Sequence, residues 1–181
     1  MSYPRQFVGV VLAWSLLAAA AGWAQQRHHD PLNPLEADQL RDAAQEPSAR
    51  IKLYLEFSRT RLAALEQMRA DPKVTNRAQQ THDRLQDFLE VYDELNDNID
   101  TFVGRKADLR KPLKTVIEAD TEFQARLRAL KASIASSKEE TDPYEFLLNN
   151  VLDTVDNNMQ DHRQLLEEQE AAAKNKKKGK S

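Results

Sequence analysis

Two charged residues interrupt otherwise apolar helical patterns and are the best candidates for chemistry. Asp120 falls between Val116 and Phe123, where spacings of three and four residues call for an apolar side chain, and His162 interrupts a later segment in the same way. A carboxylate and an imidazole that meet inside a protein can form an ion pair, move a proton or hold a metal.

A third polar residue falls in the same layer when the chain is folded back on itself. If two helices reverse near residue 106, Asp120 lies level with Tyr92. If the next two reverse near residue 139, His162 lies level with Ile117, less than one turn from Asp120. The pattern favours separate solvation of each side chain at a wet helix edge. The alternative is a buried polar layer of Tyr92, Asp120 and His162, in which the three side chains meet.

The sequence lacks the residue patterns of most catalytic and metal sites. It has no cysteine and only four glycines, which excludes thiolate ligands, disulfides and the glycine-rich loops that hold phosphate. None of its four histidines follows a glutamate by three residues, as a di-iron bundle requires. The acidic run at 93–100 lacks the spacing of a calcium loop. We expect no enzyme, no metal and no cofactor.

Apolar residues recur every three or four positions along four segments of similar length, a pattern typical of amphipathic helices. We predict four helices, the first with a break or kink at Pro47: 36–70, 73–103, 108–138 and 143–172.

Helix-end signals support these boundaries. Asp71 and Asp142 each precede a proline, which is favoured in the first turn of a helix. Gly104 is the expected left-handed residue at the end of the second segment.

The connections between these segments are short, so neighbouring helices must run antiparallel. The predicted fold is an all-α, up-down-up-down four-helix bundle over residues 36–173. The same pattern also fits an elongated three-helix coiled-coil hairpin with a docked N-terminal helix.

Residues 1–24 have the organisation of a secretory signal peptide. Arg5 precedes an apolar run that ends in small residues, which favours cleavage after Ala24. Cleavage would remove both tryptophans and leave an extended segment, 25–35, before the bundle. We expect a periplasmic or secreted protein without a transmembrane segment; the alternative is an uncleaved anchor.

The last residues, 174–181, are predicted to form a flexible basic tail. The whole chain has a formal charge of −3, so the body without this tail is more acidic than the total. Such charge separation favours an anionic partner, a lipid headgroup or a cell-wall polymer; a plain solvated tail is the alternative. Nucleic acid is not expected, because the chain carries an export signal and an acidic body. The candidate anchor lysines are Lys174, Lys176, Lys177, Lys178 and Lys180.

These features together predict an exported, non-enzymatic protein that acts as an adaptor, scaffold or chaperone-like factor in a bacterial envelope. The alternative is a carrier whose interior binds a small ligand or a metal through Tyr92, Asp120 and His162. An interior cavity at those residues would favour the carrier, and an open apolar groove would favour the interaction factor.

Overall fold

The computed structural model describes residues 31–136 and 143–178, and all regular secondary structure within them is α-helical. The signal peptide predicted at 1–24 lies outside the described residues. The five helices are α1 Pro34–Asp42, α2 Pro47–Ala70, α3 Arg77–Gly104, α4 Arg110–Ala135 and α5 Glu145–Lys178.

The break predicted at Pro47 separates two helices. Pro47 is the first residue of α2, where its missing N–H leaves no hydrogen bond unmade. Asn33 caps α1: its side chain accepts a hydrogen bond from the Glu36 N–H, and the Glu36 carboxylate accepts one from the Asn33 N–H, each at 3.0 Å.

Both ends of α3 differ from the prediction. Helix α3 begins at Arg77, after a connection in which Asn76 takes a left-handed conformation with φ of 51°. The left-handed residue after α3 is Lys106, with φ of 59°, so the prediction for Gly104 is wrong. Gly104 still belongs to the helix, and the chain reverses two residues later, where the Ala107 N–H reaches back to the Phe102 carbonyl at 3.0 Å.

The helices pack as two antiparallel hairpins, α2 with α3 and α4 with α5. Helix α2 also contacts α4, α3 contacts α5, and α1 packs on α2. Ion pairs from Arg59 to Glu122 and from Arg126 to Glu66 show that α2 and α4 run in the same direction. In the described residues α3 and α4 do not pack side by side, so these consecutive helices lie on a diagonal of this compact helical bundle.

An aromatic cluster fills the centre of the bundle and bridges that diagonal. Phe88 stacks on Tyr92 with 5.7 Å between ring centroids, and Phe123 of α4 meets both rings edge-on at 5.4 and 6.0 Å. Leu95 and Leu127, from the predicted apolar stripes, are also buried. The prediction of an all-α helical bundle is confirmed for the described residues, with antiparallel packing of α2 on α3 and of α4 on α5.

Candidate functional site

Tyr92, Asp120 and His162 meet at the centre of the bundle, each from a different helix. The Tyr92 hydroxyl donates a hydrogen bond to Oδ1 of Asp120 at 2.8 Å, and Nδ1 of His162 lies 2.8 Å from Oδ2. Tyr92 and Asp120 are completely buried, and His162 is 4% exposed. The structure therefore brings all three predicted residues into one hydrogen-bonded group, which we call the polar layer.

The aromatic cluster fixes the donor of this layer. Phe88 and Phe123 pack against the Tyr92 ring from two sides and so hold its hydroxyl toward Asp120. Asp120 stands one turn before Phe123 on α4, and the same helix face therefore supplies both the packing surface and the acceptor.

Hydrogen-bonding rules determine where the protons lie. With Asp120 as a carboxylate, both of its oxygens accept, and the shared proton is assigned to Nδ1 of His162. Burial raises the pKa of Tyr92, and the charge of Asp120 and the hydrogen bond to it raise it further, against a smaller opposing effect of Asn158. Tyr92 is thus a neutral donor throughout the physiological pH range.

The hydrogen bonds of the polar layer fix the orientations of the Tyr92, Asp120 and His162 side chains. Each Asp120 oxygen accepts a short hydrogen bond from within the layer. Within residues 31–136 and 143–178, no group of three or more His, Asp or Glu side chains is placed to hold a metal ion. The chemistry that the layer performs most directly is to join α3, α4 and α5.

Two cavities open at the surface between α2 and α4. The larger, of about 300 Å³, has leucine side chains on its floor and Glu66 and Arg126 at its rim. The smaller, of about 210 Å³, lies between Ile51 and Pro112 nearer the start of both helices. Neither is lined by a residue of the polar layer. We call the larger one the leucine groove; its floor is formed by Leu62, Leu65, Leu127 and Leu130.

The first part of the lysine-rich segment belongs to helix α5. Helix α5 continues through Lys178, so Lys174, Lys176 and Lys178 are on a helix and exposed, whereas a flexible tail was expected from 174 onward. Alanine and lysine are strong helix formers, and cations are favoured at a helix C-terminus. Lys180 and the side chain of Lys177 lie outside what the structure describes.

The connection between α3 and α4 is attached to this end of α5. The side-chain Oε1 of Gln169 accepts a hydrogen bond from the Leu109 N–H at 2.7 Å, and its side-chain Nε2 donates one to the Ala107 carbonyl at 3.2 Å. Sequence reasoning missed this contact. No sequence pattern predicts it, because the two partners are about 60 residues apart and the contact is made with the backbone.

A buried ion pair was also missed. The Arg61 guanidinium donates to both carboxylate oxygens of Glu36, at 2.8 and 2.6 Å, and to the Pro31 carbonyl at 2.8 Å. The side chains of Arg61 and Glu36 are only 15% and 9% exposed. The spacing of Asn33 and Glu36 indicates a capping box, but only the docking of α1 on α2 identifies Arg61 as the partner.

Among the helices of the described residues, none combines the length and apolar character needed to cross a membrane. No protein-family model, curated protein or solved structure matches this chain.

Proposed function

We propose that this protein is an exported, non-enzymatic, up-down-up-down four-helix bundle that acts through its surface as an adaptor, scaffold or chaperone-like factor in a bacterial envelope. The observation that supports this best is the polar layer. Both oxygens of the Asp120 carboxylate are hydrogen-bonded, one to Tyr92 and one to His162. These three side chains therefore hold the helices together in the interior of the bundle.

The leucine groove is the surface best suited to a protein partner. Its apolar floor is flanked by the Glu66–Arg126 ion pair, in which both nitrogen–oxygen distances are 2.8 Å. An apolar centre with a polar rim is the usual composition of a protein interface. The carrier alternative ranks second, because neither cavity reaches Tyr92, Asp120 or His162.

Site-specific photo-crosslinking in the cells that make the protein tests this proposal. A benzophenone amino acid at Ala129, which lines the leucine groove, should give a discrete crosslinked adduct with another envelope protein. The matched control is the same amino acid at Gln160, an exposed position on α5. The absence of an adduct at Ala129, or the same adducts at both positions, would contradict the proposal.

A further inference from the structure

We propose that one end of the bundle is a composite basic surface that docks end-on to an anionic lipid bilayer. This inference rests on the proposed function and names the envelope partner of that protein. The surface, which we call the basic end, combines the α3–α4 connection with the last turn of α5. Its exposed cations are Arg105, Lys106, Lys111, Lys174, Lys176 and Lys178.

The register of α4 and α5 places these two segments side by side. Lys114 pairs with Glu170 at 3.3 Å, and Asp120 pairs with His162 one and a half turns further along α4. Continuing this antiparallel register sets Arg110, the first residue of α4, level with about residue 173 of α5. The helix from Lys174 onward therefore projects beyond the start of α4 by roughly one turn, beside the connection.

Specific contacts make the two segments one surface. Gln169 holds the connection by hydrogen bonds to Leu109 and Ala107, and a surface cavity of about 260 Å³ lies between Lys106 and Lys176. The left-handed conformation of Lys106 turns the chain there and leaves its side chain exposed.

Asp108 of the connection lies close to charges of both segments. Its pKa is lowered to about 2, chiefly by the side-chain hydrogen bonds from Arg110, then by that residue's N–H and charge, with a smaller contribution from Lys176 of α5. Arg110 pairs with Asp108, and Lys114 pairs with Glu170. The six cations of the basic end do not form such pairs with the described residues.

The distribution of charge favours an extended anionic partner. The chain as a whole is acidic, with a net charge of −3, so the body outside the basic end is strongly acidic. A bilayer that contains anionic lipid would attract this end and repel the body, which orients the long axis of the bundle away from the membrane.

Binding at this end should be electrostatic and without insertion. The large apolar side chains exposed in the described part of the chain are Leu35 and Phe146, and Phe146 lies at the start of α5, at the opposite end of the bundle. Attraction through exposed charges is screened by salt, so added salt should release the protein.

The test is sedimentation of the mature chain, 25–181, with vesicles of phosphatidylcholine alone or mixed with phosphatidylglycerol. We expect binding only to the mixed vesicles. Replacing the three cations nearest the connection, Arg105→Gln, Lys106→Gln and Lys111→Gln, should weaken binding roughly a hundredfold, since each basic residue near such a surface contributes about fivefold. Deletion of 174–181 should weaken it as well.

A charge-matched variant separates local from overall charge. Lys73→Gln, Arg128→Gln and Lys131→Gln together remove the same charge from the opposite half of the bundle and should leave vesicle binding nearly unchanged. Circular dichroism should show the parent helicity in both triple variants.

Several results would overturn the proposal. Parent-like binding by the Arg105, Lys106 and Lys111 variant would mean that the tail acts alone. Equal loss in both triple variants would mean that only net charge matters. Binding to soluble polyphosphate but not to the mixed vesicles would assign the surface to an anionic polymer. The crosslink at Ala129 depends on neither segment, so these failures are distinguishable from failure of the proposed function.

Discussion

His162 and Asp120 are 42 residues apart in sequence, yet the imidazole Nδ1 lies 2.8 Å from the carboxylate Oδ2. The other oxygen of the same carboxylate accepts a hydrogen bond from Tyr92, which belongs to the other hairpin. One carboxylate thus fixes the axial position of the α2–α3 hairpin relative to the α4–α5 hairpin.

Removing that carboxylate should destabilise the fold strongly. Asp120→Ala leaves a tyrosine hydroxyl and an imidazole N–H buried without an acceptor, and we expect a loss of about 3–5 kcal/mol. Tyr92→Phe removes the hydroxyl itself, so no buried donor is left without an acceptor. The free energy of unfolding should therefore fall less, by about 1–3 kcal/mol. Urea unfolding followed by circular dichroism measures both. Equal, small losses would show that the layer contributes little.

The tautomer of His162 offers a second measurement on the same residues. We expect nitrogen NMR to find the proton on Nδ1 in the parent protein, because only that nitrogen faces Asp120. In Asp120→Leu the acceptor is gone, and the proton should redistribute toward Nε2. The same tautomer ratio in both proteins would contradict the geometry of the layer.

The buried pair of Glu36 and Arg61 should make stability depend on pH in the acid range. Burial by itself would raise the pKa of Glu36, but hydrogen bonds from Arg61 and from the Asn33 N–H, with the charge of Arg61, hold it below its ordinary value. Stabilisation from a lowered carboxyl pKa is fully present above the ordinary pKa and is lost as pH falls through the folded value.

Glu36→Gln should therefore cost about 1.5–3 kcal/mol at neutral pH, and the difference from the parent should shrink in acid. Urea unfolding at a series of pH values tests this. Glu56→Gln is the control, because Glu56 is 52% exposed and lies 3.8 Å from Lys52, so its loss should be near zero. A pH-independent effect of Glu36→Gln would mean that its charge is irrelevant.

The two leucines of the apolar stripes should be costly to truncate. Leu95 is 0% exposed and Leu127 is 1% exposed, so each change to alanine should cost about 2–5 kcal/mol in chemical denaturation. Phe146→Ala is the comparison, since Phe146 is 85% exposed and should be nearly neutral. Similar effects at all three positions would be inconsistent with the packing.

Export predicts a defined mature chain. The intact mass of the protein recovered from the cell envelope should correspond to a chain that begins at Gln25. That chain has no tryptophan, because Trp14 and Trp23 both precede the predicted cleavage site. A recovered protein that retains Trp23 would favour an uncleaved anchor.

The axial levels of Tyr92, Asp120 and His162 follow from helix rise and from the positions of the chain reversals, both of which can be estimated from sequence. Which helices adjoin cannot be estimated in that way. The diagonal of α3 and α4 depends on how Phe88, Tyr92 and Phe123 interlock across the bundle.

The sequence patterns also could not predict contacts between residues far apart in the chain, or the geometry of the turn after α3. The pairing of Arg61 with Glu36 depends on how α1 docks, and the contact of Gln169 with the α3–α4 connection depends on the length of α5. Gly104 was expected to take the left-handed conformation because glycine adopts it most easily. The hydrogen bonds of the turn place the reversal at Lys106 instead.

The division into two hairpins also has a kinetic consequence. The contacts nearest the turn of each hairpin are close in sequence and form quickly, whereas the contacts of α2 with α4 close long loops, such as the 63 residues between Arg59 and Glu122. Folding should therefore begin within the hairpins, with their docking as the later step. The hydrogen bond of Tyr92 to Asp120 crosses that interface, whereas that of His162 stays within one hairpin. Tyr92 and Asp120 are nevertheless only 28 residues apart, fewer than the 42 that separate Asp120 from His162, so the Tyr92 bond gives the two hairpins a link across a short loop.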